Sequence, residues 1–253
     1  MCTLIVYYQM LDDYPIVVAA NRDEQYQRQA LQPHTIHHMP RVYAGKDAKA
    51  GGTWLGVNEL GLVVGIVNRH STQPQDSSRR SRGLLCLDLL CQRGAQEARD
   101  LLVTDGMEHT YNSFYLLWAD QEHAFIAYNE GEITIRALKR GMYMQTNSSL
   151  IDLACVKPTG LAELLIPPAP GQLGALFANL QEVCKTHHDV ERVVDPPNAH
   201  RGNRAICVHT SEQYGTVSSS LLAISSEISR SRYLHAQGAP CETPYRDYSH
   251  LFQ

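Results

Sequence analysis

The feature that most constrains this chain is a β-hairpin written into its first twenty residues. Leu4, Val6 and Tyr8 alternate with Thr3, Ile5 and Tyr7, the period-2 pattern of a strand. Asp12-Asp13-Tyr14-Pro15 breaks that run, and a second β-rich run covers Ile16 to Ala20. The second run leads straight into four polar residues, Asn21-Arg22-Asp23-Glu24.

Downstream, the pattern predicts strands clustered at both ends with helices between. Gly51-Gly52-Thr53-Trp54-Leu55-Gly56-Val57-Asn58 reads as a turn and strand, and Gly61 to Asn68 as a strand apolar on both faces. Ser71 to Arg82 reads as an exposed loop whose cluster Arg79-Arg80-Ser81-Arg82 is solvated. Leucine and alanine spacing predicts one helix over Leu84 to Leu102. Strands follow at Ser113–Trp118, Ala124–Tyr128, Ile133–Leu138 and Met142–Thr146. After the break Pro167-Pro168-Ala169-Pro170-Gly171 comes a helix from Leu173 to Cys184. A polar loop through Asp195-Pro196-Pro197 leads to strands at Ala205–His209, Thr216–Ile224 and Arg230–His235. No repeat or low-complexity linker divides residues 1–253, so one α+β domain is expected.

Composition narrows the function classes. At 43% hydrophobic the chain has the apolar material for a packed core. A net charge of −4 argues against a nucleic-acid binder. No apolar run approaches the roughly 20 residues of a membrane-spanning helix, and the N-terminus lacks the order of a secretory signal. The seven cysteines are scattered and form no CxxC pair, which fits a reducing, cytoplasmic setting and predicts no metal site. His37-His38 and His187-His188 read as solvated loop residues, and His209 as a strand-end residue. The apolar runs that seal a core are equally able to seal a dimer, so an oligomer is left open.

Cys2 carries the chemistry. Once Met1 is removed, the residue holds a thiol and a free α-amine of pKa about 7.7–8.0, a nucleophile with its own general base. The alternative is a small buried hydrophobe. Through the hairpin, the tetrad Asn21 to Glu24 approaches the sulfur. An arginine there favours thiolate and a carboxylate orients an ammonium; surface ion pairs are the alternative.

In this order, Met1-Cys-Thr-Leu, Asn21-Arg-Asp-Glu, Gly51-Gly-Thr-Trp-Leu-Gly, Asn68-Arg69, Thr146-Asn147 and Tyr214-Gly-Thr resemble the NRDE, or transport and Golgi organisation protein 2, family. That family is similar to N-terminal nucleophile hydrolases of the choloylglycine hydrolase and penicillin V acylase type. The resemblance implies a four-layer αββα sandwich with Cys2 as nucleophile and Arg22, Asp23 and Asn147 as catalytic partners. The acylases separate the arginine and aspartate by two residues, so Asn21 and Glu24 are alternative occupants of those positions. Asn68 is either a second oxyanion-side asparagine or a strand-end turn residue, and Trp54 joins Asn21, Glu24 and Asn68 as substrate-binding candidates. Many relatives carry Tyr-Gly-Thr-Arg-Ser-Ser where this chain has Tyr214-Gly-Thr-Val-Ser-Ser, which removes a positive charge at the pocket mouth. Two functions follow from the resemblance. One is an amidase acting on a small-molecule, non-peptide C–N bond and requiring no cofactor. The other is a carrier of haem or a lipid-type metabolite in the same pocket, which would then be apolar.

Overall fold

A computed structural model of the chain describes residues 2–71, 74–153, 160–167, 171–187 and 205–253. The hairpin forms as expected: β1 (Thr3–Tyr8) pairs antiparallel with β2 (Ile16–Gln25), Tyr8 opposite Ile16 and Thr3 opposite Asn21. β2 does not stop at Ala20, however. It continues through the tetrad because a strand from the far end of the chain, β12 (Tyr214–Ile224), pairs along its whole length from Ile224↔Ile16 to Tyr214↔Gln25. That pairing is long-range and leaves no local pattern.

Ten further strands complete two antiparallel sheets. They are β3 (Ala30–His38), β4 (Arg41–Asp47), β5 (Leu55–Asn58), β6 (Val63–Asn68), β7 (Phe114–Ala119), β8 (Ala124–Asn129), β9 (Ile133–Ala137), β10 (Gly141–Gln145), β11 (Leu150–Asp152) and β13 (Arg232–Ala236), with the short β14 (Arg246–Asp247) at one edge. One sheet runs β11-β10-β1-β2-β12-β13-β14 and the other β3-β4-β5-β6-β7-β8-β9. Three helices are described: α1 (Arg82–Leu90), α2 (Ala95–Glu108) and α3 (Leu173–Lys185).

The alternation in β1 sorts its side chains into two cores. Leu4, Val6 and Tyr8 pack between the sheets against Leu55, Val57, Val63 and Val67. Ile5 and Tyr7 face the opposite way, onto Leu176, Phe177 and Leu180 of α3. On the outer face of the other sheet, Leu85, Leu89 and Leu102 of α1 and α2 cover Val64, Leu116 and Trp118. The layers are therefore α3, sheet, sheet, and α1 with α2, the αββα sandwich expected. Each fully buried Leu, Ile or Val in these layers contributes about 1.5–3 kcal/mol.

Several expectations need correction. The helix expected over Leu84 to Leu102 is two helices, broken after Leu90 and restarting at Ala95, where the Asp120 carboxylate accepts the Ala95 N–H at 2.7 Å. His37 and His38 lie in β3, an edge strand rather than a loop, whose polar residues and two bulges hide the strand period. β4 likewise carries no strand period that the sequence makes plain. Ala205–Val208 is buried and His209 half-buried, but the stretch is no strand: it carries isolated bridge positions, among them His209↔Gly215. The breaks at Pro168–Pro170 and Asp195–Pro197, together with Cys155 and His188, lie outside the described residues.

The Gly-Gly-Thr-Trp-Leu-Gly block joins β4, β5 and α1. A Cβ on Gly52 would sit 2.2 Å from the backbone carbon of Gly83, because the Thr53 N–H donates to the Gly83 carbonyl at 3.0 Å. The Thr53 hydroxyl donates to the Gly45 carbonyl at 2.7 Å and so ties the block to β4. Gly52→Ala is expected to destabilise by ~3 kcal/mol or more, since backbone rather than a flexible side chain must move. Gly174→Ala, where an added methyl meets nothing within 4 Å in α3, should instead raise stability by ~0.4–1 kcal/mol. Urea unfolding of the two variants measures both, and equal effects would refute the close-approach account.

Candidate active site

Cys2 immediately precedes β1, and the sidedness of that strand points it, with Leu4 and Val6, into the space between the sheets. On β2 the residues sharing this face are Ala20, Arg22 and Glu24, one opposed pair apart along the strand. Cys2 opens into a groove of about 590 Å³ that is also lined by Arg22, Asp23, Glu24, Trp54, Asn68 and Arg82. Five of the seven expected site residues other than Cys2 are thus brought together: Arg22, Asp23, Glu24, Trp54 and Asn68, the last at the end of β6. Only Asn21 and Asn147 are not part of that lining.

Arg22 is the most constrained of them. Its guanidinium lies 4.4 Å from the Trp54 ring centre and 4.0 Å from the Asp47 carboxylate. Trp54 in turn packs over Gly45, where an added Cβ would meet the ring at 2.7 Å. A stacked arginine of this kind gains ~0.5–2 kcal/mol, more when water is excluded. Glu24 and Asp47 both pair with Arg28, at 3.2 and 2.6 Å, so the charges close into a network along the groove wall.

Asp23 faces its hydrogen-bonding group the other way. Its Oδ1 accepts the Thr216 hydroxyl at 2.6 Å, and its carbonyl accepts the Cys2 thiol at 3.7 Å and the Tyr214 hydroxyl at 3.3 Å. Burial pushes the carboxyl up to about 6 against the opposing pull of that Thr216 bond. The Cys2 thiol is also raised, first by burial and then by the Asp23 charge. Arg22 favours the thiolate, as expected, but burial and the Asp23 charge outweigh it.

Asn21 is corrected as well. Its amide donates to the carbonyls of Cys184 at 2.8 Å and Ile206 at 2.9 Å, on the α3 side of the sheet, where it fastens α3 rather than a substrate. Asn147 lies two residues past Gln145, which is opposite Leu4; continuing that antiparallel register by two residues sets Asn147 opposite Cys2. Its carbonyl accepts the His70 N–H at 2.9 Å, while its buried Oδ1 has no hydrogen-bond partner among the described residues.

Sequence reasoning missed Arg28, Asp47 and the role of the arginine cluster. Arg80 and Arg82 line the groove instead of standing in solvent, and Arg82 donates to the Ser113 carbonyl at 2.8 Å. Burial lowers the Arg82 guanidinium, and Cys2, Arg28 and Glu24 are the charges that act on it. Val217, where many relatives carry arginine, is the extra residue of a β-bulge between the pairs Thr216↔Asp23 and Ser218↔Arg22.

Because the Asp23 carboxyl rises from its ordinary 3.8 to about 6, the folded chain holds a proton between about pH 4 and 6 that the unfolded chain releases. The cost of burying the charge therefore grows as pH rises through that window and is complete above it, on the order of 3 kcal/mol. Asp23→Asn keeps an acceptor for Thr216 and removes the charge. Its stability relative to wild type should climb from pH 4 to 6.5 and then level off in urea titrations; a constant difference would count against a buried Asp23 carboxyl.

The sandwich has counterparts among solved structures. Penicillin V acylase from Agrobacterium tumefaciens superposes with a TM-score of 0.57 and 13% identity, over 99% of this chain and 87% of the other. A variant of conjugated bile acid hydrolase from Clostridium perfringens gives 0.59 and 11%, over 100% and 94%. An N-acylethanolamine-hydrolyzing acid amidase ortholog from Caenorhabditis elegans gives 0.52 and 12%, over 88% and 92%. At such identities the likeness is one of fold, the N-terminal nucleophile hydrolase sandwich that the motifs implied. Among curated proteins, the Transport and Golgi organization protein 2 homolog of Homo sapiens is 34% identical over 147 residues, 54% of this chain and 52% of that protein. The Bos taurus homolog is 32% identical over 146 residues, with the same shares. The chain spans about half the length of these curated relatives. The family described as Transport and Golgi organisation 2 matches residues 1–234, and with the motif order and the sandwich this places the chain in it: the protein is a member of the Transport and Golgi organisation 2 family.

Proposed function

We propose that the protein is a cysteine amidase of the N-terminal nucleophile type, acting on a non-peptide C–N bond of a small polar substrate. The observation that carries this reading is the position of Cys2: the residue stands at the head of β1, on the inter-sheet face, and lines a groove together with Arg22, Glu24 and Arg82. Removal of Met1 frees the Cys2 α-amine beside a thiol whose proton it takes up. The sulfur then adds to the amide carbon, the C–N bond breaks, and the leaving nitrogen departs with the proton the amine held. Water cleaves the resulting thioester, returning the acid and the free thiol. Asn147, opposite Cys2 in the continued register, and Asn68 on the rim are the side chains suited to donate to the oxyanion. Asp23, with its carboxyl near 6, is suited to hold the ammonium form of the amine.

A carrier role for haem or a lipid-type ligand is the alternative. The groove favours the amidase, since its walls bear arginines and carboxylates where a carrier of an apolar ligand needs a greasy lining. The described cysteines are all free thiols, which supports a reducing, cytoplasmic location.

Intact mass of the purified chain establishes whether Met1 is removed, and a panel of chromogenic acyl amides then measures turnover. Processed protein should hydrolyse at least one of them, and Cys2→Ala should lose ~10³-fold or more of that rate. Protein with Met1 retained should be equally inactive, because its amine is no longer on Cys2. Undiminished turnover by Cys2→Ala, or by the unprocessed chain, would overturn the mechanism.

A further inference from the structure

At the tetrad end of the β2–β12 pair, three distant segments bring together two thiols and two imidazoles. His187 follows α3, Cys207 and His209 belong to the buried stretch that bridges to β12, and Cys241 lies beyond β13. Cys207 Sγ is 3.5 Å from Cys241 Sγ and 3.7 Å from His209 Nε2, and His209 Nε2 is 3.2 Å from Cys241 Sγ. A tetrahedral zinc with bonds of ~2.3 Å to sulfur and ~2.0 Å to nitrogen requires edges of ~3.8 Å between sulfurs and ~3.5 Å between sulfur and nitrogen. The three separations sit within a few tenths of an ångström of that triangle.

His187 offers a fourth ligand from the Cys207 and His209 side. A ring nitrogen of His187 lies within 4.8 Å of the donor atoms of both Cys207 and His209, and the two imidazoles pack with centroids 5.2 Å apart. His187 Nδ1 is 3.1 Å from the Cys207 carbonyl, which leaves Nε2 with the free lone pair. A backbone carbonyl fixing the tautomer through the other ring nitrogen is the usual outer support of a metal-bound histidine. Cys207 is buried and the other three are half-buried, an enclosed set rather than an open catalytic one.

We propose that Cys207, His209, Cys241 and His187 form a structural Zn²⁺ site. Binding displaces one proton from each thiol to solvent, leaving a neutral Cys₂His₂ centre. The expectation of no metal site rests on the absence of a CxxC pair and on reading His187 and His209 separately, whereas the fold packs the two imidazoles together. Zinc staples the end of α3 and the C-terminal segment to the stretch between them. Val208, between two ligands, exchanges hydrogen bonds with Thr216 in both directions at 2.8 Å, and Thr216 holds Asp23 beside Cys2. The staple thus braces one wall of the candidate active site without touching the nucleophile.

The test uses the full chain, purified under reductant after growth with zinc. Elemental analysis should find one zinc per chain, and Cys91→Ser, at a half-buried thiol elsewhere, should keep it. Cys241→Ser and His209→Ala should each weaken zinc binding by more than the ~10–100-fold that loss of an outer partner costs. Chelation should lower the melting temperature of the wild-type protein by several degrees, with recovery on added Zn²⁺ but not Mg²⁺. Independently of any variant's folding, Co²⁺ added to the metal-free wild type should give visible d–d bands of tetrahedral intensity and thiolate charge-transfer absorption in the near ultraviolet. Reduced protein that takes up neither Zn²⁺ nor Co²⁺ would overturn the proposal. So would a Cys207–Cys241 disulfide whose reduction restores no metal binding, or full zinc retention by Cys241→Ser.

Discussion

The antiparallel pairing of β2 with β1 on one side and β12 on the other is the constraint from which the rest of the structure follows. It joins the first and last thirds of the chain in adjacent strands and sets their side-chain alternation in one register. Because a sheet has a period of two, that register decides which residues look between the sheets and which look at α3. Cys2, Arg22 and Glu24 share the first face and Asn21 the second. A slip of one residue would exchange these roles and carry Cys2 to the helix side.

Holding charge at the end of a sandwich is costly, and this protein meets the cost with a chain of partners. Arg22 rests on Trp54 and leans toward Asp47, Asp47 and Glu24 hold Arg28, and Asp23 is bound by Thr216. The bulge at Val217 makes that last contact, since the extra residue shifts the pairing between Asp23 and Arg22. The groove is thereby stiff on the β2 side and lined on the α1 side by arginines of a loop and helix start. Such pre-set charge suits a reaction that develops an oxyanion.

Local patterns made part of this legible. The hairpin, the apolar β6, the strands from Phe114 to Gln145 and helix α3 all fell close to their expected places, because each carries its own hydrophobic period. β3 and β4 escaped because an edge strand with polar residues and two bulges loses that period. The break between α1 and α2 escaped because Ala98, Leu101 and Leu102 resume a helical spacing soon after Leu90. Of the residues the motif order singles out, Cys2, Arg22, Asp23, Glu24, Trp54 and Asn68 line one groove, whereas Asn21 turns to the α3 side because neighbours in a strand face opposite ways. Arg80 and Arg82 looked like a solvated cluster, and no local signal shows that a loop folds back over a groove.

The sequence by itself determined the strand-rich architecture, the hairpin that heads it and the place of Cys2 directly before its first strand, since these rest on spacing. Tertiary structure alone decided that β2 runs on through the tetrad, that burial and Asp23 overrule Arg22 at the Cys2 thiol, and that Cys207, His209, Cys241 and His187 converge. The physical reason is common to all three. Long-range pairing, desolvation and three-dimensional clustering depend on what the fold brings alongside a residue, and neighbours distant in sequence leave no period to read.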